Sequence, residues 1–227
     1  DRKLYASSCV TVHTASGPLS GVISSVPPHL RKEEKELPAS DEVAVDLGLS
    51  GERARELVCP GDRVTIDCEP AVLLDGSVSA KALDDRAGCA ALLHCLELLR
   101  DVPLNWDIAA VFAVQEELGC RGSAVAAFHT EPARAIAVDV SFALTPDADP
   151  AKCGVLGKGP MIGYAPGLDA DMTRKMEETA KENGIPFQKE VMGGDTGTDA
   201  DSIAGAGAGV PTVGVGRDVR LRRPSLC

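Results

Sequence analysis

Asp107-Ile108-Ala109-Ala110-Val111-Phe112-Ala113-Val114-Gln115-Glu116-Glu117 is a nearly continuous apolar run that ends in two adjacent carboxylates. A strand covered on one face alternates apolar and polar residues. A strand covered on both faces need not, so 107–114 predicts a strand buried in a parallel-type sheet. Upstream, 84–99 carries apolar residues at helical spacing and ends before Pro103. Downstream, a Gly-bounded helix from Ser123 leads to a second apolar run at 135–140. A helix over 168–183 stops at Gly184, a good C-terminal cap, and is followed by a strand over 187–191. A helix from about Asp199 and a strand over 211–215 close the series. This alternation predicts an α/β fold, a mostly parallel sheet with helices on both faces. No internal repeat is present.

The first part of the chain has a different texture. Residues 9–14 alternate, 15–17 turn and 18–24 run back, which predicts a hairpin. The charged stretch 31–36 (RKEEKE) reads as a solvated loop. A strand at 42–47, a helical turn around 50–56 and a strand at 63–68 follow. The expectation is a small β-rich domain over 1–75 and an α/β domain over 76–227.

Bulk composition sets the function classes. With 227 residues, 44% hydrophobic and 25% charged, the chain can bury a core. Aromatics make up only 3%, so that core rests on Val, Leu, Ile and Ala. A net charge of −11 repels phosphate backbones and argues against a nucleic-acid partner. The eight cysteines include no C-x-x-C pair, so neither a zinc ribbon nor a redox motif is signalled. Residues such as Cys89 and Cys95 lie in apolar stretches and read as small buried thiols, which favours a reducing compartment. No apolar run approaches the ~18 residues of a membrane span, and no leader pattern opens the chain. The expectation is a cytoplasmic protein without a membrane partner.

Carboxylates mark the element boundaries. Glu116 and Glu117 follow the first apolar run, Asp139 ends the second, and Asp84-Asp85 open the helix before them. Ligands of open α/β sheets bind beyond the carboxyl ends of strands. Acids converging there repel one another unless cations stand between them, and hard oxygen donors suit divalent ions. Adjacent glutamates also allow one to hold a metal while the other takes a proton from water. The plain alternatives are that Asp84 is an N-cap, that the Glu pair is a solvated turn, and that Asp139 is a loop residue. All three boundaries carrying acid in one chain favours the metal-site reading.

Lys81-Ala82-Leu83-Asp84-Asp85-Arg86-Ala87-Gly88, Val114-Gln115-Glu116-Glu117-Leu118-Gly119-Cys120-Arg121-Gly122 and Ala137-Val138-Asp139-Val140 resemble the glutamyl and deblocking aminopeptidases. Leu156-Gly157-Lys158-Gly159-Pro160, Gly197-Thr198-Asp199-Ala200 and Gly209-Val210-Pro211-Thr212 are similar to later blocks of that family. Gly21-Val22-Ile23 with Pro27-Pro28-His29 is similar to its smaller β-domain. The resemblance runs over about residues 9–214, in family order. It implies a zinc-exopeptidase-like fold and a co-catalytic metallopeptidase that often builds tetrahedral homo-oligomers. It implies two divalent metal ions, zinc or cobalt, with Asp84 bridging them, Glu117 on one and Asp139 on the other. Glu116 is implied as general base, and Gly197, Thr198 and Asp199 as neighbours of a peptide substrate. It further implies a cis peptide between Asp84 and Asp85.

Two ligands of the family pattern are histidines, one upstream of the β-domain and one after the Gly-Val-Pro-Thr block. His13, His29, His94 and His129 stand at neither position, and His94 and His129 read as ordinary core or surface residues. Three of five expected ligands are therefore present, in an incomplete catalytic domain. A truncated product is expected, with the Arg-rich run after Gly216 as a shifted reading frame. Alternatives from other classes are a catalytically inactive assembly module working through the β-domain and a related metallohydrolase such as a deacylase. Some relatives carry endoglucanase labels, but the adjacent glutamates suit metal work better than glycosidic chemistry.

Overall fold

The computed structural model describes residues 6–24, 43–206 and 212–218, the last by backbone alone. Residues 25–42 and 207–211 lie outside it, and with them the charged stretch 31–36, the Pro27-Pro28-His29 block and most of the Gly209–Thr212 block. The Arg-rich run beyond 218 also lies outside the described residues. The chain divides into two compact units, Asp1–Pro70 and Ala71–Cys227.

In the first unit, β1 (Cys9–Thr14) and β2 (Gly17–Ser24) form the expected antiparallel hairpin, with Thr14 opposite Gly17. Gly17 has φ +118, a conformation closed to most side chains, which is why the turn ends there. Alternation decides the faces: Val10 and Val12 of β1 and Ile23 of β2 are buried, while Cys9 and His13 are exposed. β3 (Ala44–Asp46) joins β2, and β4 (Arg63–Ile66) joins β1, giving the order β3-β2-β1-β4. The helical turn becomes α1 (Gly51–Leu57), capped by the Ser50 hydroxyl, which accepts from the Arg53 amide at 3.3 Å.

In the second unit, β5 (Ala71–Val72) and β6 (Val78–Ser79) make a short pair before α2 (Leu83–Leu99). Then come α3 (Arg121–Thr130), β7 (Ala135–Ser141), β8 (Met161–Tyr164), α4 (Ala170–Glu182), β9 (Gln188–Val191), α5 (Asp199–Gly205) and β10 (Thr212–Asp218). The main sheet has the order β7-β10-β8-β9. β10 is parallel to β7 and β9 to β8, but β10 meets β8 antiparallel. The fold is mixed α/β, with two of three pairings parallel. Helix α4 ends where Gly184 is expected to stop it. Asp169 caps it by accepting from the Met172 amide at 2.7 Å, and Gly184 leaves it at φ +63. Its buried residues Thr173, Glu177 and Ala180 recur at helical spacing. Buried Glu177 lies 2.6 Å from Lys189 of β9 and 3.0 Å from Lys181, and their hydrogen bonds hold its carboxyl below the ordinary range.

Two expectations fail. Residues 107–114 form no strand: no ladder partner pairs with them among the described residues, and Ile108, Val111, Phe112 and Val114 are exposed. A doubly covered strand needs neighbours on both edges and both faces, and apolar composition alone supplies neither. None of the seven described cysteines is buried, and Cys95 is exposed. The reason is the same, because the α2 residues Leu93, Leu96 and Leu98 around Cys95 are themselves exposed.

Candidate active site

Two of the acidic pairs of the second unit, Asp84-Asp85 and Glu116-Glu117, sit where the backbone departs from regular geometry. Ala82 has φ +54, and Asp84 and Asp85 interrupt the helical dihedrals at the start of α2. The Asp84–Asp85 peptide is cis. Asp85, not Asp84, caps the helix, accepting from the Gly88 amide at 2.9 Å. A Cβ on Gly88 would stand 2.3 Å from Asp85 Oδ2, so only glycine fits beside that cap. Asp84 is thereby released from the capping role.

Glu116 and Glu117 lie on a single 3-10 turn, 116–118. It is bracketed by Gln115 at φ +59 and Cys120 at φ +53, so non-glycine residues hold left-handed backbone on both sides of the pair. Such conformations cost roughly 1–3 kcal/mol each and cluster at functional sites. The Cys120 thiol donates to Glu116 Oε1 at 3.3 Å. Asp139, in β7, accepts from the Val140 amide at 2.7 Å.

Electrostatics tie these groups together. Burial lifts the Asp139 carboxyl to about 7, against the Val140 hydrogen bond, and the charges of Asp85, Asp84 and Glu116 add to the rise. Asp85 rises to about 6, first through burial and then through Asp84, Glu116 and Asp199. Glu117 is raised first by the charge of Asp84. Burial and the bond to Glu116 push the Cys120 thiol up to about 11, so it stays protonated near neutrality. No basic side chain figures among the causes of these shifts. The structure thus couples Asp84, Glu116, Glu117 and Asp139, with Asp199 on their margin.

Gly197 and Thr198 serve the turn into α5. The Thr198 hydroxyl accepts from the Ala200 amide at 3.2 Å, and the Gly197 amide donates to Asp201 at 2.9 Å. Three residues escaped sequence reasoning: Cys120, Ser123 and Asp201. Asp201 left a signal, since Thr198-x-x-Asp201 has the spacing of a capping box. Ser123 left none, because its partner Asp199 is 76 residues away and is set by the fold. A hollow lined by Tyr164, Pro166, Leu168, Val191 and Met192 contains none of these acids.

The donor set fits a divalent cation in its chemistry: hard oxygens, partly buried, raised by that burial and then by mutual repulsion. Among the described residues no three His, Cys, Asp or Glu side chains already stand close enough to hold an ion.

The second unit is thus a mixed α/β fold in which carboxylates from separate segments repel one another, a repulsion that a divalent cation would offset. Residues 1–221 match the M42 glutamyl aminopeptidase family, and the chain belongs to it. It is 35% identical over 207 residues to the lysyl aminopeptidase of Pyrococcus furiosus, covering 88% of this chain and 58% of that protein. It is 30% identical to the glutamyl aminopeptidase of Lactococcus lactis, covering 91% of this chain and 60% of that one. A TET aminopeptidase from a marine-sediment Thaumarchaeota archaeon superposes with TM-score 0.86 at 28% identity, covering 95% of this chain and 63% of that one. The Pyrococcus horikoshii TET1 peptidase, described as assembling into a tetrahedron or a large octahedral shell, gives 0.79 at 36% identity, covering 95% and 64%. The chain spans less than two thirds of the length of each.

Proposed function

We propose that this chain carries the acid-bearing core of a metal-dependent aminopeptidase that releases N-terminal residues from peptides. The carrying observation is the coupled carboxylate set, in which Asp139 and Asp85 are raised by burial and by neighbouring acids. Family membership supports the reaction class. Asp84, Glu117 and Asp139 would hold divalent ions, zinc or cobalt. Bound ions of this kind polarise a peptide carbonyl and make water acidic near neutrality. Glu116 takes the proton from the attacking water and returns it to the departing amine. The thiol of Cys120 holds one Glu116 oxygen and thereby orients the other. Asp199 meets the positive amino terminus of the peptide, which explains selection for chain ends, with Gly197 and Thr198 shaping the turn beside it.

Assembly into a homo-oligomer through the β-domain is proposed from the assemblies described for the TET1 peptidase. A cytoplasmic setting is likewise proposed; no helix among the described residues is long and apolar enough to cross a membrane. One observation favours the second reading, an inactive assembly module: the carboxylates do not already form a ligand set. Assay of the purified chain on aminoacyl anilides separates the two. Hydrolysis that appears with zinc or cobalt and disappears with a chelator is expected. Hydrolysis absent under every metal, with the chain folded, would favour the module.

A further inference from the structure

The first turn of α3 makes a contact that the proposed chemistry does not use. Ser123 is 3% exposed, and its Oγ stands 2.5 Å from Asp199 Oδ1 and 2.9 Å from the Cys120 carbonyl oxygen. A hydroxyl has one hydrogen to give, and a carboxylate is a stronger acceptor than an amide carbonyl, so the Asp199 contact takes it. Asp199 opens α5, and the turn before it is internally braced. The Asp201 carboxylate accepts from the Thr196 amide at 3.1 Å and the Gly197 amide at 2.9 Å, and the Thr196 and Thr198 hydroxyls lie 2.9 Å apart. None of those bonds leaves the segment 196–201, whereas the Ser123 bond spans 76 residues. The same turn of α3 follows Cys120, whose thiol holds Glu116. Ser123 therefore ties the turn bearing Asp199 to the turn bearing Glu116.

We propose that Ser123 is a positioning residue: its buried hydroxyl fixes the Asp199 carboxylate beside the acid cluster, where that carboxylate receives the ammonium group of a peptide's first residue. The proposal rests on the aminopeptidase reading for the identity of the ligand, and on the geometry alone for the link. In place of a rotating carboxylate, the substrate end meets an acceptor already ordered, which lowers the entropy lost on binding.

The test is amide hydrogen exchange over 196–201 in the whole chain, for Ser123→Ala, Asp199→Ala and Asp199→Asn. Asparagine keeps the Oδ1 that accepts from Ser123. Protection should fall about tenfold in Ser123→Ala and Asp199→Ala, no further in the double variant, and stay near wild type in Asp199→Asn. Unchanged protection in Ser123→Ala, or equal loss in both Asp199 variants, overturns the proposal. If Ser123→Ala fails to fold, the two Asp199 variants decide alone. In the active chain, Ser123→Ala should raise KM for an aminoacyl anilide about tenfold with kcat nearly unchanged; a fall in kcat alone also overturns it. A wild-type chain with the expected exchange pattern and no hydrolysis contradicts the aminopeptidase reading and not the Ser123–Asp199 link.

Discussion

Glu116→Gln is expected to lower kcat on aminoacyl anilides by roughly 10²–10⁴-fold while leaving metal binding and KM near wild type. Glutamine has the length of glutamate, and its Oε1 can still accept from the Cys120 thiol, which now stands 3.3 Å from Glu116 Oε1. The 3-10 turn over 116–118 is closed by backbone bonds from Gly119 and Cys120 to the Glu116 carbonyl, which the substitution leaves alone. What glutamine cannot do is accept a proton from water. A purely structural role for Glu116 predicts little change in kcat, so steady-state kinetics with metal content measured in parallel checks the assignment. A kcat within a few-fold of wild type would remove Glu116 from the chemistry.

The second large effect is on stability against pH. With metal chelated, the chain is expected to be more stable near pH 5 than near pH 8, the reverse of a protein whose acids are paired with bases. Asp139 titrates at about 7 in the folded chain against an ordinary 3.8, and Asp85 at about 6. Between those values the folded state binds more protons than the unfolded one. Unfolding free energy therefore falls as pH rises from 3.8 to about 7 and levels off above. Asp139→Asn keeps the acceptor for the Val140 amide and removes the charge, so it should flatten the slope and raise stability near pH 8. Asp139 is only half-buried, so screening trims the gain to roughly 1–2 kcal/mol. Added zinc should stabilise at high pH by binding only the folded, deprotonated set. Thermal unfolding at the two pH values, with and without chelator, measures all three terms. A melting temperature that rises from pH 5 to pH 8 without metal would contradict the raised carboxyls.

Much of this was legible in the sequence where the signal was local. The hairpin of β1 and β2 follows from alternation and a turn at Gly17, and the end of α4 from Gly184. The run 135–140 became β7, and its Asp139 feels the charges of Asp85, Asp84 and Glu116. What failed was non-local. The apolar run 107–114 has a strand's composition, but a strand exists only through its neighbours, and none pairs with it among the described residues. The sequence reading passed over β8, four residues long, and its antiparallel seat against β10 has no local signature. The contacts Ser123–Asp199 and Asp85–Gly88 show the two cases side by side. The second spans 3 residues and is an ordinary cap; the first spans 76 and exists only once α3 packs on α5.

Calorimetric titration of zinc and of cobalt into the purified chain, with Asp84→Ala in parallel, tests most directly whether these carboxylates form a metal centre. Two ions bound by the wild-type chain, and loss of that binding in Asp84→Ala, is the predicted result. No binding by the wild-type chain, or binding that Asp84→Ala leaves intact, would contradict it.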